Sequence, residues 1–335
     1  MSHRARLQVL LAVVSVVLVA AGVYVARAVL GASDERAALG SSRPTATAQA
    51  GEPRVVFRNS DQGASNGLVS TVPLDDLSGR RTVLGPGCDR VYATAEETVC
   101  LHTRRGVATT FEGQLFDAAG HEELHWPLPG IPSRTRVSPS GRLVSDTSFV
   151  TGHTYMQVGF STATVIRGVD GKSYGNLEKF RLVVDGRTVT ASDRNIWGVT
   201  FAEDDDTFYA TAASGGKTWL VQGDLSERTL TSVHQNAECP SLSPDGTKVA
   251  YKKRVPVGGK HWSLAVLDLA SGRETVLGET HSVDDQVEWL DASTLLYGLP
   301  RPAETGASDV WAIGIAAGDT PRRVIKNAWS PAVVR

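Results

Sequence analysis

The chain lacks an excess of charge of either sign: 34 Lys and Arg stand against 36 Asp and Glu in 335 residues, a net charge of -2. No strong basic field exists to hold a phosphate backbone, which argues against nucleic-acid binding. The one compact basic run, Lys252-Lys253-Arg254, ends an expected strand and reads as a solvated strand end. Cysteine is scarce as well, with 3 in the whole chain. None follows directly on the apolar N-terminal segment, which excludes a lipoprotein anchor. Long helices do not suit a chain with 33 Gly and 15 Pro, which point instead to many turns. A turn-rich β protein is the expectation.

The N-terminus departs from this pattern. Residues 7–30 read LQVLLAVVSVVLVAAGVYVARAVL, with about 19 nearly continuous apolar residues before Arg27, enough to span a bilayer as a helix. The run is longer than the apolar core of a signal peptide, and Ala26-Arg27-Ala28 only weakly imitates a cleavage site, so an uncleaved anchor is expected. Arg4 and Arg6 precede the span, and the positive-inside rule keeps residues 1–6 in the cytoplasm. Arg27 can snorkel to the far interface. This predicts a single-pass membrane protein with everything after Leu30 extracytoplasmic. Residues 31–52 are rich in Ala, Ser, Thr and Gly with no sustained apolar period, the composition of a flexible tether. Residues 53–335 form the expected folded domain.

Within that domain the strongest signal is internal repetition. The clearest unit, residues 239–278, reads as four strands separated by the turns Pro244-Asp245-Gly246 and Ala270-Ser271-Gly272. Pro fixes φ, Asp bonds to nearby backbone and Gly supplies the positive φ that closes each turn. Second strands are expected at about Val55, Thr98, Leu143, Thr207, Lys248 and Thr294, a spacing of roughly 40 to 65 residues that suits propeller blades. That predicts six blades. The domain begins on a second strand at Arg54, and Asn327-Ala328-Trp329-Ser330-Pro331 supplies a first strand, so the two ends should complete one blade and close the ring.

Ser243-Pro244-Asp245-Gly246 with Ala250-Tyr251, echoed by Ser138-Pro139-Ser140-Gly141, resembles the WD40-like (PD40) repeats of TolB-type propellers. The resemblance implies an all-β, six-bladed β-propeller and a place in the cell envelope. Members of that family carry an α/β domain ahead of the propeller and a cleaved signal, where here an anchor and a tether are expected. No functional residue has a matching motif, so the binding of TolB to Pal is not carried over.

Few motifs carry chemistry. His121-Glu122-Glu123-Leu124-His125 satisfies the zinc-protease spacing H-E-x-x-H. It lies between the turn at Asp117-Ala118-Ala119-Gly120 and Trp126-Pro127, with no room for a helix, and on a strand the two imidazoles would stand roughly 13 Å apart. Cys88 and Cys100 flank an expected hairpin, which places them near facing positions; outside the cytoplasm that favours a disulfide over two buried thiols. Cys239 is left over in a central strand, a buried apolar-like residue rather than a nucleophile. Glu203 to Asp206 reads as a solvated turn, because EF-hand spacing is absent. Asp284 and Asp285 precede a first strand and are candidates for one mouth of the channel. The seven Trp read as packing between blades, with a sugar-stacking platform as the alternative. The long unit containing residues 153–181 is where a partner loop is expected.

No catalytic, cofactor-binding or metal site is assigned. The expected function is a non-catalytic, membrane-anchored extracytoplasmic protein-interaction module at the cell envelope. A carbohydrate- or small-molecule-binding propeller is the alternative, and a propeller hydrolase or lactonase the third reading.

Overall fold

Each blade starts from a turn whose residue types dictate it. In Ser243-Pro244-Asp245-Gly246 the Asp245 carboxylate accepts hydrogen bonds from the Ser243 hydroxyl at 2.5 Å, the Thr247 hydroxyl at 2.9 Å and the Thr247 amide at 3.1 Å. These donors, Ser243 foremost, hold its pKa down at about 2. Gly246 adopts φ +68°, where a Cβ would be strained. Strands Glu238–Leu242 and Lys248–Val255 leave this turn antiparallel, and alternation along the second buries Val249 and Tyr251 in a core with Leu220 and Ala265.

The computed structural model describes residues 8, 12–27, 52–106, 108–151, 160–255 and 261–335. It is a six-bladed β-propeller. Blades 2, 3, 5 and 6, over residues 90–127, 131–176, 238–276 and 288–325, each have four strands paired in sequence order. Blade 1 is made from both ends of the domain: Ala328–Val334 pairs antiparallel with Arg54–Asn59, followed by Leu68–Pro73 and Thr82–Gly87. All six expected second strands fall where the turns placed them.

Blade 4 departs from the pattern. Its four strands between Asn195 and Gln235 are extended by Arg181–Val184, which pairs parallel with Thr229–Gln235, and then by Arg187–Val189. The long unit expected to present a partner loop therefore goes, in its described part, into the outer edges of blades 3 and 4. Residues 152–159 lie outside the described residues. Of the sequence His121 to His125, residues 122–125 lie on a strand, Glu122–Pro127, the outermost of blade 2, and His121 ends the turn before it.

Apolar side chains pack between neighbouring blades rather than in one centre. Val99, Leu101, Leu115 and Trp126 of blade 2 meet Val137 and Val144 of blade 3, and Trp289, Leu295 and Tyr297 of blade 6 meet Ala250 and Leu264 of blade 5. Each fully buried large side chain contributes roughly 1.5–3 kcal/mol.

Of the expected span of residues 7–30, residues 8 and 12–27 are described, whereas the tether of residues 31–52 lies outside the described residues except for Glu52. Residues 12–27 are helical, and among the described residues no helix is long and apolar enough to cross a membrane.

Cys88 and Cys100 form a disulfide across 12 residues, with Cα atoms 5.4 Å apart. Cys88 also donates its amide to Gly67 of blade 1, so the bridge reinforces the seam between blades 1 and 2. Replacing both cysteines by Ala is expected to cost about 2–3 kcal/mol from the loop length alone. Chemical denaturation of the oxidised chain against the double variant reads this directly, and equal midpoints would remove the bridge from any account of stability.

Candidate functional site

Inner strands of a propeller line its axis, and here the polar residues of five of them meet in the middle. Arg136, on the blade 3 inner strand Ile131–Val137, is ion-paired through Nη1 with Glu288 of blade 6. Its Nη2 donates to the Ser241 hydroxyl at 3.0 Å and the Val287 carbonyl at 2.7 Å. Tyr92 of blade 2 donates its hydroxyl to Glu288 Oε1 at 3.2 Å and lies under the guanidinium, 4.6 Å from ring centroid to Cζ. The Val333 amide from blade 1 donates to the same carboxylate at 3.3 Å. Burial opposes the charge on Arg136, but Glu288 and Tyr92 outweigh it and hold its pKa above the ordinary arginine value. Burial and then Glu288 push the Tyr92 phenol up to about 12. This cluster plugs the axis, and the space left beside it is only about 20 Å³.

A mouth opens on either side of the plug, and the two differ in charge. The first, about 630 Å³, lies at the Ser-Pro-Asp-Gly turns. Glu96, Glu203, Asp204 and Asp245 line its rim, with Arg335 as the one basic side chain there outside the plug. The second, about 490 Å³, lies at the opposite ends of the strands. Five basic side chains line it, Arg90, Arg134, Lys217, Lys252 and Arg254, against the carboxylates of Asp193, Glu238 and Asp284.

The floor of the second mouth is a cluster of three cations. Lys252 Nζ is ion-paired with Asp284 and stands 4.5 Å from the Trp262 ring. Arg134 Nη2 lies 3.7 Å from the same carboxylate, and its Nη1 donates to the Ser133 carbonyl at 2.9 Å. Arg90 Nη1 is 3.6 Å from Asp285, and its guanidinium lies 5.3 Å over the Trp329 ring. Burial, and then Arg134 beside it, lowers the Arg90 pKa to about 10. For Arg134 burial works the same way, yet Cys239, Asp285 and Asp284 raise its pKa above the usual value. Asp284 is held below the ordinary carboxylate range: burial opposes this, but Lys252, Arg134 and Arg90 prevail.

Asp284 and Asp285, picked out from sequence, are adjacent but differ in role. The Asp284 side chain is 64% exposed at the second mouth, whereas that of Asp285 is 3% exposed and accepts from the Gly298 amide at 3.0 Å. Cys239 is a buried free thiol on the wall of this mouth. The arginines were missed. Their signal was the Arg-x-Arg alternation in Ser133-Arg134-Thr135-Arg136-Val137, two cations at a spacing of two in an otherwise small and apolar strand. Among the described residues no group of three or more His, Cys, Asp and Glu is placed to hold a metal ion. His121 and His125 bind Asp117 and Glu112 separately, at 3.0 and 3.2 Å.

No family model matches this chain, and no curated protein does. Among solved structures, TolB from Acinetobacter baumannii is similar with a TM-score of 0.59 and 15% identity, over 85% of this chain and 67% of that one. A chain of the nidogen/laminin complex is similar with a TM-score of 0.55 and 10% identity, over 84% of this chain and 98% of that one. At such identities the likeness concerns the fold alone: this chain is a six-bladed β-propeller, similar in fold to TolB.

Proposed function

We propose that this chain is a non-catalytic protein-interaction module, held at the outer face of the cell membrane by its N-terminal segment, that docks its partner at the second mouth. The observation that carries this reading is the combination there of a blind funnel and an apolar rim. Ile131 and Phe149, opposite one another across two strands of blade 3, are 56% and 36% exposed. Exposed apolar side chains around a charged pocket are what protein-binding surfaces present. The acids and bases of the axis are paired with one another, which suits a binding site better than one needing an unengaged general base. The nidogen/laminin complex supplies a similar fold within a protein–protein assembly. A glycan is the second reading, favoured by the indoles of Trp197 and Trp262 on the same wall. The membrane attachment rests on the apolar N-terminal sequence and the arginines before it.

Photo-crosslinking in native membranes tests the docking. A crosslinking residue in place of Phe149 should yield a protein adduct, and one in place of the exposed Glu203 at the opposite mouth should not. Equal adducts from both positions, or none from Phe149, would defeat the assignment of this mouth to a protein.

A further inference from the structure

We propose that the partner enters the second mouth as an acidic segment, and that its carboxylate takes the place of Asp284 on Lys252 and Arg134. This rests on the docking reading above and adds the chemistry of what is docked. Among the described residues Arg90, Arg134 and Lys252 share two carboxylates, Asp284 and Asp285, so the floor carries a surplus cation. Their hydrogen bonding is also incomplete. Among the described residues Arg134 Nε and Arg90 Nη1 are buried with no hydrogen-bond partner, and Arg134 Nη2 reaches the Asp284 carbonyl only at 3.4 Å. Buried guanidinium groups normally have their donors filled, two at a time by a carboxylate when one is available.

Asp284 marks the position of the missing group. The Lys252 and Arg134 side chains are 5% and 10% exposed, yet the carboxylate that neutralises them is mostly in solvent. An exposed carboxylate on a connecting segment can swing away at small cost, because solvent already screens and hydrates it. An incoming carboxylate exchanges one ion pair for another and fills the donors that Asp284 leaves open. The funnel directs such a group to the cations because the plug closes the axis beyond them, while the apolar pair Ile131 and Phe149 at the rim suits hydrophobic neighbours of the acid. The other mouth, rimmed by Glu96, Glu203, Asp204 and Asp245, repels the same segment. Charge therefore selects the face as well as the ligand.

The test uses the full chain in detergent and an acetylated Leu-Glu-Glu-Leu peptide, with its Leu-Gln-Gln-Leu counterpart and an oligoglucuronate as comparisons. Binding is read by tryptophan fluorescence and calorimetry. The Glu peptide should bind at least about tenfold more tightly than the Gln peptide. Asp284→Asn, a change at an exposed side chain, should tighten the Glu peptide roughly fivefold by removing the competing carboxylate, and Lys252→Met should weaken it about tenfold. Equal binding of the two peptides, or no tightening by Asp284→Asn, overturns the proposal. Binding of oligoglucuronate without the Glu peptide overturns it in favour of an anionic glycan. Should the Phe149 crosslink to a protein persist while the Glu peptide shows no binding, the docking reading stands and its acidic chemistry falls.

Discussion

Deleting residues 328–335 is expected to cost the propeller most of its stability. The deleted strand is the inner strand of blade 1, paired with Arg54–Asn59 from Arg54↔Val334 to Asn59↔Ala328. It buries Ala328, Ala332, Val333 and Val334. Ala328 and Val333 pack with Val55, Phe57 and Leu296, which joins blades 1 and 6. Val334 packs with Val91 and Cys100 of blade 2. The Ser330 hydroxyl donates to the Val91 carbonyl at 3.0 Å, and the Arg335 guanidinium to the Leu290 carbonyl at 2.8 Å. Its loss opens both seams and leaves the edge of Arg54–Asn59 unpaired. With each buried Val worth roughly 1.5–3 kcal/mol and several backbone hydrogen bonds lost besides, the sum approaches the total stability of about 5–15 kcal/mol usual for a domain. Thermal unfolding by near-ultraviolet circular dichroism should show a fall in Tm of more than about 10 °C or no folded signal at all. Deleting Arg335 alone should move Tm little. A truncated chain that melts within a few degrees of the intact one would mean that the ring does not depend on its C-terminal clasp.

The second large effect concerns the plug. Glu288→Ala leaves the Arg136 guanidinium buried without its carboxylate, an imbalance that costs about 3–5 kcal/mol in comparable buried pairs. The same change removes one of the influences that raise the Tyr92 pKa, while the cation that lowers it stays. The phenol should therefore titrate below its present value of about 12. Arg136→Met combined with Glu288→Leu should recover most of the lost stability, because it removes both charges together and fills the space with apolar volume. Denaturation of the intact chain, Arg136→Met, Glu288→Leu and the double variant gives the coupling, and an ultraviolet difference titration of Glu288→Ala follows the phenol. A single variant that costs under about 1 kcal/mol would place the pair in the class of solvated ion pairs and refute its role as the structural centre of the ring.

Turn chemistry made the ring legible in the sequence. Ser243-Pro244-Asp245-Gly246 and its echoes fixed where each second strand begins, and an N-terminal second strand with a C-terminal first strand required closure in blade 1. The channel was harder to read. Its inner strands are short, and their pairing with the second strands shifts register between Pro132 and Arg134, Glu238 and Ser241, and Trp289 and Asp291. A shift of one residue turns a side chain from the channel to the blade interior. For that reason Asp284 and Asp285 could be located at the axis without being told apart, and Arg90, Arg134 and Lys252 were passed over. Lys252 in particular was read as part of a solvated basic run, whereas its place farther from the strand end buries it and leaves Arg254, on the same face but next to the end at Val255, more exposed. The long unit misled for a different reason. Local pattern shows that Arg181–Val184 is a strand, but not that it adds in parallel to a strand 48 residues later, Arg181↔Thr229.

The direction of Arg54–Asn59 has a further consequence. A second strand starts at the acidic face, so whatever precedes Arg54 leaves the propeller there, beside Val334 and Arg335. Acidic turns on one face and arginines and lysines behind the other give the domain an electric dipole along its axis. On the proposed attachment, an anionic membrane surface would repel the acidic face, at which the tether joins the propeller, and attract the basic mouth at the other end. Tether and dipole thus pull in opposite senses, and ionic strength should set which face the cell surface displays.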